Sequence, residues 1–252
     1  MNIMPNIHNF KWTVSETDKE LYRKLCLEFV RNDESFSTFR KNNLYRSIIG
    51  APSLFQAMQM YKKQMECSYI IENMIQFIKL DYVGSPYVYD FGGAFLSPNL
   101  IRYLDTIRLL HENFGDLDKQ NIMEIGAGFG GLSYCIQTLW KCNYYLLDLS
   151  EAILLQKKVL NTLACDAITT ACHDIDLLIA EYSLSELESK GQLYYYQNYI
   201  SKAKKIFLRY NCTDKITHDM FIELLKKTHN ITISQEITNA VSFNKLIIGS
   251  KI

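Results

Sequence analysis

The chain has 252 residues, with 27 Lys and Arg against 27 Asp and Glu and a pI near 6.9. That length fits one large domain, or a domain with a substantial extension. A balanced charge offers no global basic field to draw the chain onto nucleic acid or an anionic membrane. The start carries no leader pattern and no run of about 18 apolar residues occurs, so a cytoplasmic protein without a membrane span is expected. Cys26, Cys67, Cys135, Cys142, Cys165, Cys172 and Cys212 form no Cys-x-x-Cys pair. An odd set lying mostly inside apolar patterns reads as small buried hydrophobes, with neither a disulfide framework nor structural zinc.

In chain order, Ser15–Asp18 and Thr17–Glu20 are both capping-box candidates. Leu21, Leu25 and Phe29 follow at helical spacing, which predicts a helix to about Arg31. A second amphipathic stretch covers Ser35 to Ile48 and stops at Gly50-Ala51-Pro52. A third, from Ser53 to about Leu80, is set for a break near Cys67 and Ser68. Asp81 to Phe95 is dense in glycine and aromatics and has no helical period. It reads as a lid, an acceptor wall or a self-packed linker, with Tyr87 and Tyr89 as candidate substrate contacts. Ser97 and Pro98 then open a helix that Gly115 closes, and His111 near its end reads as structural.

The centre of the chain is Asn121 to Leu132, where an apolar run ends in Glu124 and passes through Gly126, Gly128, Gly130 and Gly131 into a helical pattern. A second apolar run stops at Asp148, about the distance a βαβ unit needs. Glycines let a ligand approach the backbone closely, and the following helix opens with unpaired N–H groups. Asp148 is placed to accept from ribose hydroxyls. The pattern is a site for a nucleoside-containing cofactor. Gly126, Gly128 and Gly131 also satisfy the dinucleotide pattern, so a nicotinamide or flavin enzyme stays open. Glu124 favours S-adenosylmethionine (SAM), because an anion there repels a pyrophosphate and suits an amino group.

Beyond Asp148, a helix capped by Ser150 is expected to about Leu163, and a short strand over Ala167 to Ala171. Asp176 to Ser183 reads as a central strand buried on both faces, ending in Glu181-Tyr182-Ser183 at the edge where open α/β sheets bind ligands. A helix from Ser185 to about Ile200, a strand over Lys204 to Asn211 and a helix over Ile216 to Lys227 come next. Ile231–Ile237 and Phe243–Gly249 are strands joined too closely for a crossover, so they must pair antiparallel.

The run Glu124-Ile-Gly126-Ala-Gly128-Phe-Gly130 resembles the first motif of class I SAM-dependent methyltransferases. From roughly Asp90 to Asn211, the chain resembles the sugar O-methyltransferase family of bacterial surface-polysaccharide gene clusters. That likeness rests on Phe91-Gly-Gly, Leu96 to Tyr103, Glu124 to Gly131, Leu147 to Leu149 and Glu181 to Leu187, with Glu181 departing from the family's pattern. It implies an α/β, Rossmann-like class I methyltransferase sheet, mostly parallel with an antiparallel last strand, and an N-terminal helical extension. It divides the chain into a helical segment with a lid or acceptor loop, 1–95, and a SAM-binding domain, 96–252.

By the same likeness the cofactor contacts are Glu124, Gly126, Ala127, Gly128, Gly130, Asp148, Leu149, His173, Asp174 and Glu181. The general base is to be found among Glu186, Glu181 and His173, and the acceptor contacts among Tyr87, Tyr89, Tyr182, Arg209 and Asn211. The implied acceptor is a sugar hydroxyl of a nucleotide-sugar or polysaccharide. A phosphoramidate decoration is the alternative, with Arg209, Lys204 or Arg102 as its cationic clamp. A SAM-binding subunit without turnover is a third reading. No metal and no nucleic acid are expected, and the helical head is also a candidate homodimer surface.

Overall fold

The computed structural model of the protein describes residues 16–169, 172, 174–211, 215–236 and 244–252. The chain begins with α1 (Glu16–Arg31), followed by α2 (Asp33–Ser37), α3 (Asn43–Ile49), α4 (Leu54–Gln64), α5 (Ser68–Glu72) and α6 (Met74–Ile78). The buried face of α1 is Tyr22, Leu25, Cys26 and Phe29, while Leu21 is half-buried. The face is therefore centred one residue further round than the leucine spacing predicts. The second predicted helix is split by capping asparagines: Asn32 Oδ1 accepts from Ser35 N, and Asn42 Oδ1 accepts from Tyr45 N. The third is broken near Cys67, as expected, and again at Asn73.

A small hairpin, β1 (Tyr89–Asp90) with β2 (Phe95–Leu96), leads to α7 (Pro98–Phe114), which Ser97 caps and Gly115 closes. The remaining elements are β3 (Asn121–Ile125), α8 (Gly131–Leu139), β4 (Asn143–Leu147), α9 (Ser150–Thr162), β5 (Leu177–Glu181), α10 (Ser189–Asn198), β6 (Lys205–Asn211), α11 (Lys215–Lys226), β7 (His229–Gln235) and β8 (Asn244–Lys251). Leu149, rather than Ser150, stands at the cap position of α9.

The main sheet runs β4-β3-β5-β6-β8-β7. β4, β3, β5 and β6 are parallel, and β8 is antiparallel to both of its neighbours. This is the mostly parallel sheet with an antiparallel last strand that the sequence implies. The short strand expected over Ala167–Ala171 is a single parallel bridge, Ile168 against Tyr145; residues 170 and 171 lie outside those described.

Alternation along the strands feeds two cores. Ile122, Leu177, Ile179 and Phe207 face a core shared with α7, α8, α9 and the N-terminal helices. Met123, Ile125, Leu178 and Ala180 face α10 and α11. α1 lies along α9 and α4 along α7, so the N-terminal helices add an outer layer over one face and share its core. No described helix is long and apolar enough to cross a membrane.

Candidate functional site

The carboxyl ends of β3, β4 and β5 open into a cleft. Its floor is the loop between β3 and α8. Gly126 N–H still bonds Leu147 O at 3.0 Å, so the chain leaves β3 tied to β4 and then turns. Gly126 has φ +72, and a Cβ there would stand 2.3 Å from the Ser183 Cβ. Only glycine combines that conformation with that closeness. At Gly131 a Cβ would stand 2.4 Å from Tyr103, so glycine also lets α8 approach α7.

Glu124, Asp148, Glu181 and Glu186 line this cleft, and Arg102 is the one Lys or Arg among its described lining residues. Glu124 is 3% exposed and accepts from Tyr144 Oη at 2.8 Å. Burial is the main cause that pushes its carboxyl up to about 8, against the pull of that hydrogen bond. Asp148 is half-buried and takes Leu149 N–H at 2.7 Å and Gln156 Nε2 at 2.8 Å. Enclosure pushes it up to about 6, partly offset by those bonds and by N–H groups of Ala127 and Gly128. Glu186 is half-buried and accepts no hydrogen bond from any described residue. Burial first, and then the charge on Asp148, push it up to about 7.

Glu186 closes a 3-10 turn, Ser183–Glu186, and α10 starts only at Ser189. The predicted helix from Ser185 is thus interrupted, and Glu186 does not sit at a helix N-terminus. The turn starts from Tyr182, whose φ of +66 is unusual for a non-glycine residue and re-aims the chain at the end of β5. Ser183 Oγ donates to Ile125 O, which pins the turn to the tip of β3.

Behind the cleft lies a buried ionic cluster. Arg209, 2% exposed, bonds Asp105 at 2.9 Å, pairs with Glu181 at 3.2 Å and also pairs with Glu236. Thr106 Oγ1 donates to Glu181, and Arg108 pairs with Asp105 at 2.8 Å. The cluster joins α7, β5, β6 and the end of β7, and it leaves Glu181 already engaged.

The roof comes from the outer helices. Tyr22 Oη reaches Gly128 O at 3.4 Å, and Ile48 and Ile49 of α3 line the cleft. Tyr182, Leu187 and Tyr195 line it as well. Tyr22, Ile48, Ile49 and Tyr195 carry no local motif. The one signal for them is apolar periodicity, which reads equally as core.

Of the residues singled out from sequence, Glu124, Gly126, Ala127, Gly128, Asp148, Leu149, Glu181, Tyr182 and Glu186 line the cleft together. Gly130 lies behind it as the cap of α8. Four others are placed elsewhere. Asp174 is exposed and pairs with Lys204 at 3.0 Å, before β5 and β6 begin and so at the opposite edge of the sheet. Lys204 is held there too, by Asp174 and Asp176, and is no clamp for an acceptor in the cleft. Arg209 is walled in by its carboxylates, and Asn211 pairs with Asn244 at the end of β6 without lining the cleft. His173 lies outside the described residues.

Tyr87 and Tyr89 line a neighbouring groove with Arg46, Ser53 and Asn99, and Ile49 borders both spaces. Arg46 lies over the Tyr87 ring, 4.6 Å from its centroid. The root of that loop is fixed: Asp81 pairs with Arg40 at 3.0 Å and takes both Ser97 N and Oγ at 2.7 Å. Among the described residues no three His, Cys, Asp or Glu side chains gather as a metal cluster.

No family model matches the chain, and no curated protein matches it. Among solved structures it is similar to the N-methyltransferase NodS of Bradyrhizobium japonicum WM9, solved with S-adenosyl-homocysteine (SAH), at 14% identity and TM-score 0.46, over 60% of this chain and 85% of that one. It is similar to TrmK of M. capricolum, also solved with SAH, at 14% identity and TM-score 0.43, over 58% of this chain and 67% of that one. An rRNA methylase of Streptococcus thermophilus is similar at 13% identity and TM-score 0.46, over 62% of this chain and 98% of that one. The chemistry is read from the cleft itself.

Proposed function

We propose that the protein is a SAM-dependent O-methyltransferase whose acceptor is a sugar hydroxyl of a nucleotide-sugar or surface polysaccharide. The observation that carries this reading is one cleft lined by a glycine loop, a carboxylate at the tip of each flanking strand, and the carboxyl of Glu186, which bonds no described residue. The acidic lining fits a ligand bearing a sulfonium and an ammonium, and it opposes the pyrophosphate of a dinucleotide. Glu124 would hold the amino-acid end, Asp148 the ribose hydroxyls, and the loop from Gly126 to Gly128 the adenosyl group.

The cofactor, when bound, supplies an electrophilic methyl group. Glu186 then does the protein's part of the chemistry. It would take the acceptor hydroxyl's proton as the methyl group is transferred, a contribution worth about 10²–10⁴-fold. Its own carboxyl, raised to about 7, is matched to that task near neutrality. Tyr182 and the groove of Tyr87 and Tyr89 are the acceptor's surroundings, and the helices within 1–95 form the roof. A phosphoramidate acceptor has weaker support, because Lys204 and Arg209 are both committed to other carboxylates.

The test is calorimetric titration of SAH against NADH, followed by a screen of nucleotide-sugars and capsule fragments with methyl-labelled SAM. SAH binds and NADH does not, Asp148→Ala weakens SAH by roughly tenfold or more, and Glu186→Gln abolishes transfer while keeping SAH affinity. Binding of NADH in place of SAH overturns the reading. Binding of SAH with no transfer to any acceptor supports a non-catalytic SAM-binding subunit instead.

A further inference from the structure

Arg102, on α7, lines the cleft in the company of Glu124 and is only 8% exposed. A guanidinium carries five N–H donors. None of those of Arg102 makes a hydrogen bond to a described residue, and Nε is buried without a partner. Its one ion pair runs from Nε to Glu181 at 3.7 Å, beyond hydrogen-bond range.

The other buried arginines behave differently. Arg40 bonds Leu80 O and Ser97 Oγ and pairs with Asp81; Arg108 holds Asp105 and Glu112; Arg209 holds Asp105 and Glu236. Glu181 takes Thr106 Oγ1 and faces Arg209 through its Oε1, and its Oε2 stands 3.7 Å from Arg102 Nε, too far to satisfy that donor.

A buried cation without hydrogen bonds is expensive to maintain, and the fork of a guanidinium matches a two-oxygen anion. Every other charged group among the described lining residues is a carboxylate. A ligand that satisfies both demands carries an anion and a cation close together, as an α-amino acid does. We propose that Arg102 receives the α-carboxylate of the cofactor's amino-acid arm, while Glu124 receives its ammonium. The inference rests on the reading of this cleft as a SAM site. A phosphate on the acceptor is the other source of the same two-oxygen chemistry, and the acceptor-free experiment below separates the two.

Calorimetry without acceptor compares SAH with its decarboxylated counterpart, 5'-(3-aminopropylthio)-5'-deoxyadenosine, which keeps the amine. The wild type binds SAH about ten- to hundredfold more tightly than the amine. Arg102→Met removes that advantage while holding the amine's affinity within about twofold, and Arg102→Lys restores part of it, a point charge replacing a fork. Equal wild-type affinities for the two ligands overturn the proposal, and this arm stands even if the variants fail to fold. Equal weakening of both ligands by Arg102→Met also overturns it, as a packing role. So does unchanged SAH affinity in that variant, which assigns the guanidinium to the acceptor. Failure of the wild type to bind SAH at all removes the cofactor reading itself, a distinguishable result.

Discussion

The Cβ that any other residue would place at position 126 falls 2.3 Å from the Cβ of Ser183. Ser183 is held in turn by its Oγ bond to Ile125 O, so the tips of β3 and β5 close on each other through a missing side chain. Gly126→Ala must take a left-handed φ at about 1–2 kcal/mol and displace the turn at about 1–3 kcal/mol. The variant should therefore melt roughly 5–15 °C lower by scanning calorimetry and lose measurable SAH binding. A variant that melts and binds like the parent would show that the loop is not held by this contact.

Arg209 is the buried counter-ion for carboxylates from three directions. Its removal in Arg209→Met takes the buried counter-charge from Glu236 and leaves Asp105 to Arg108 alone, which should cost about 3–5 kcal/mol of unfolding free energy in urea titrations. Asp105→Asn, which leaves Arg209 two other partners, should cost less. A loss below about 1 kcal/mol for Arg209→Met would mean that the cluster is not energetically coupled.

For Glu186 the sign of the pH dependence follows from its role as a base. Its carboxyl, pushed up to about 7, is inactive when protonated. Thus kcat/KM should climb about tenfold per pH unit below that value and level off above it. Glu186→Gln should abolish the rising limb together with most of the rate. A profile that keeps its limb in the glutamine variant would move the base to another group.

Glu124 provides a stability test that needs no substrate. Its folded value of about 8 lies above the ordinary carboxyl value of about 4.3. The folded protein therefore holds an extra proton between those values, and the corresponding stability is present at low pH and lost as pH rises through about 8. Glu124→Gln mimics the protonated form. Without ligand, its melting temperature should match the parent's near pH 5 and exceed it by a few degrees near pH 9. Parallel curves for the two proteins would contradict the assignment. The same variant should bind SAH more weakly, having no charge for the ammonium.

Features set by neighbouring residues were legible in the one-dimensional chain. The glycine turn after Glu124, the proline-led start of α7 and the closely spaced β7–β8 hairpin all follow from what a backbone tolerates over a few positions. The carboxylates at 124 and 148 could be placed at strand tips because strand length and βαβ spacing locate those tips. Positions that depend on a long return path were less legible. Asp174 follows a bridge at Ile168, but the chain must then descend to start β5, which carries it to the far edge.

The sequence by itself determined the sheet, the loop in its middle and the acidic ends that border it, because each is a local consequence of side-chain size and spacing. Only the tertiary structure decided which charges are free. Arg209 and Arg102 read alike as cationic candidates, yet one is enclosed by carboxylates from three elements and the other faces the cleft with its donors unused. Burial and pairing are set by residues distant in the chain, and no local pattern encodes them.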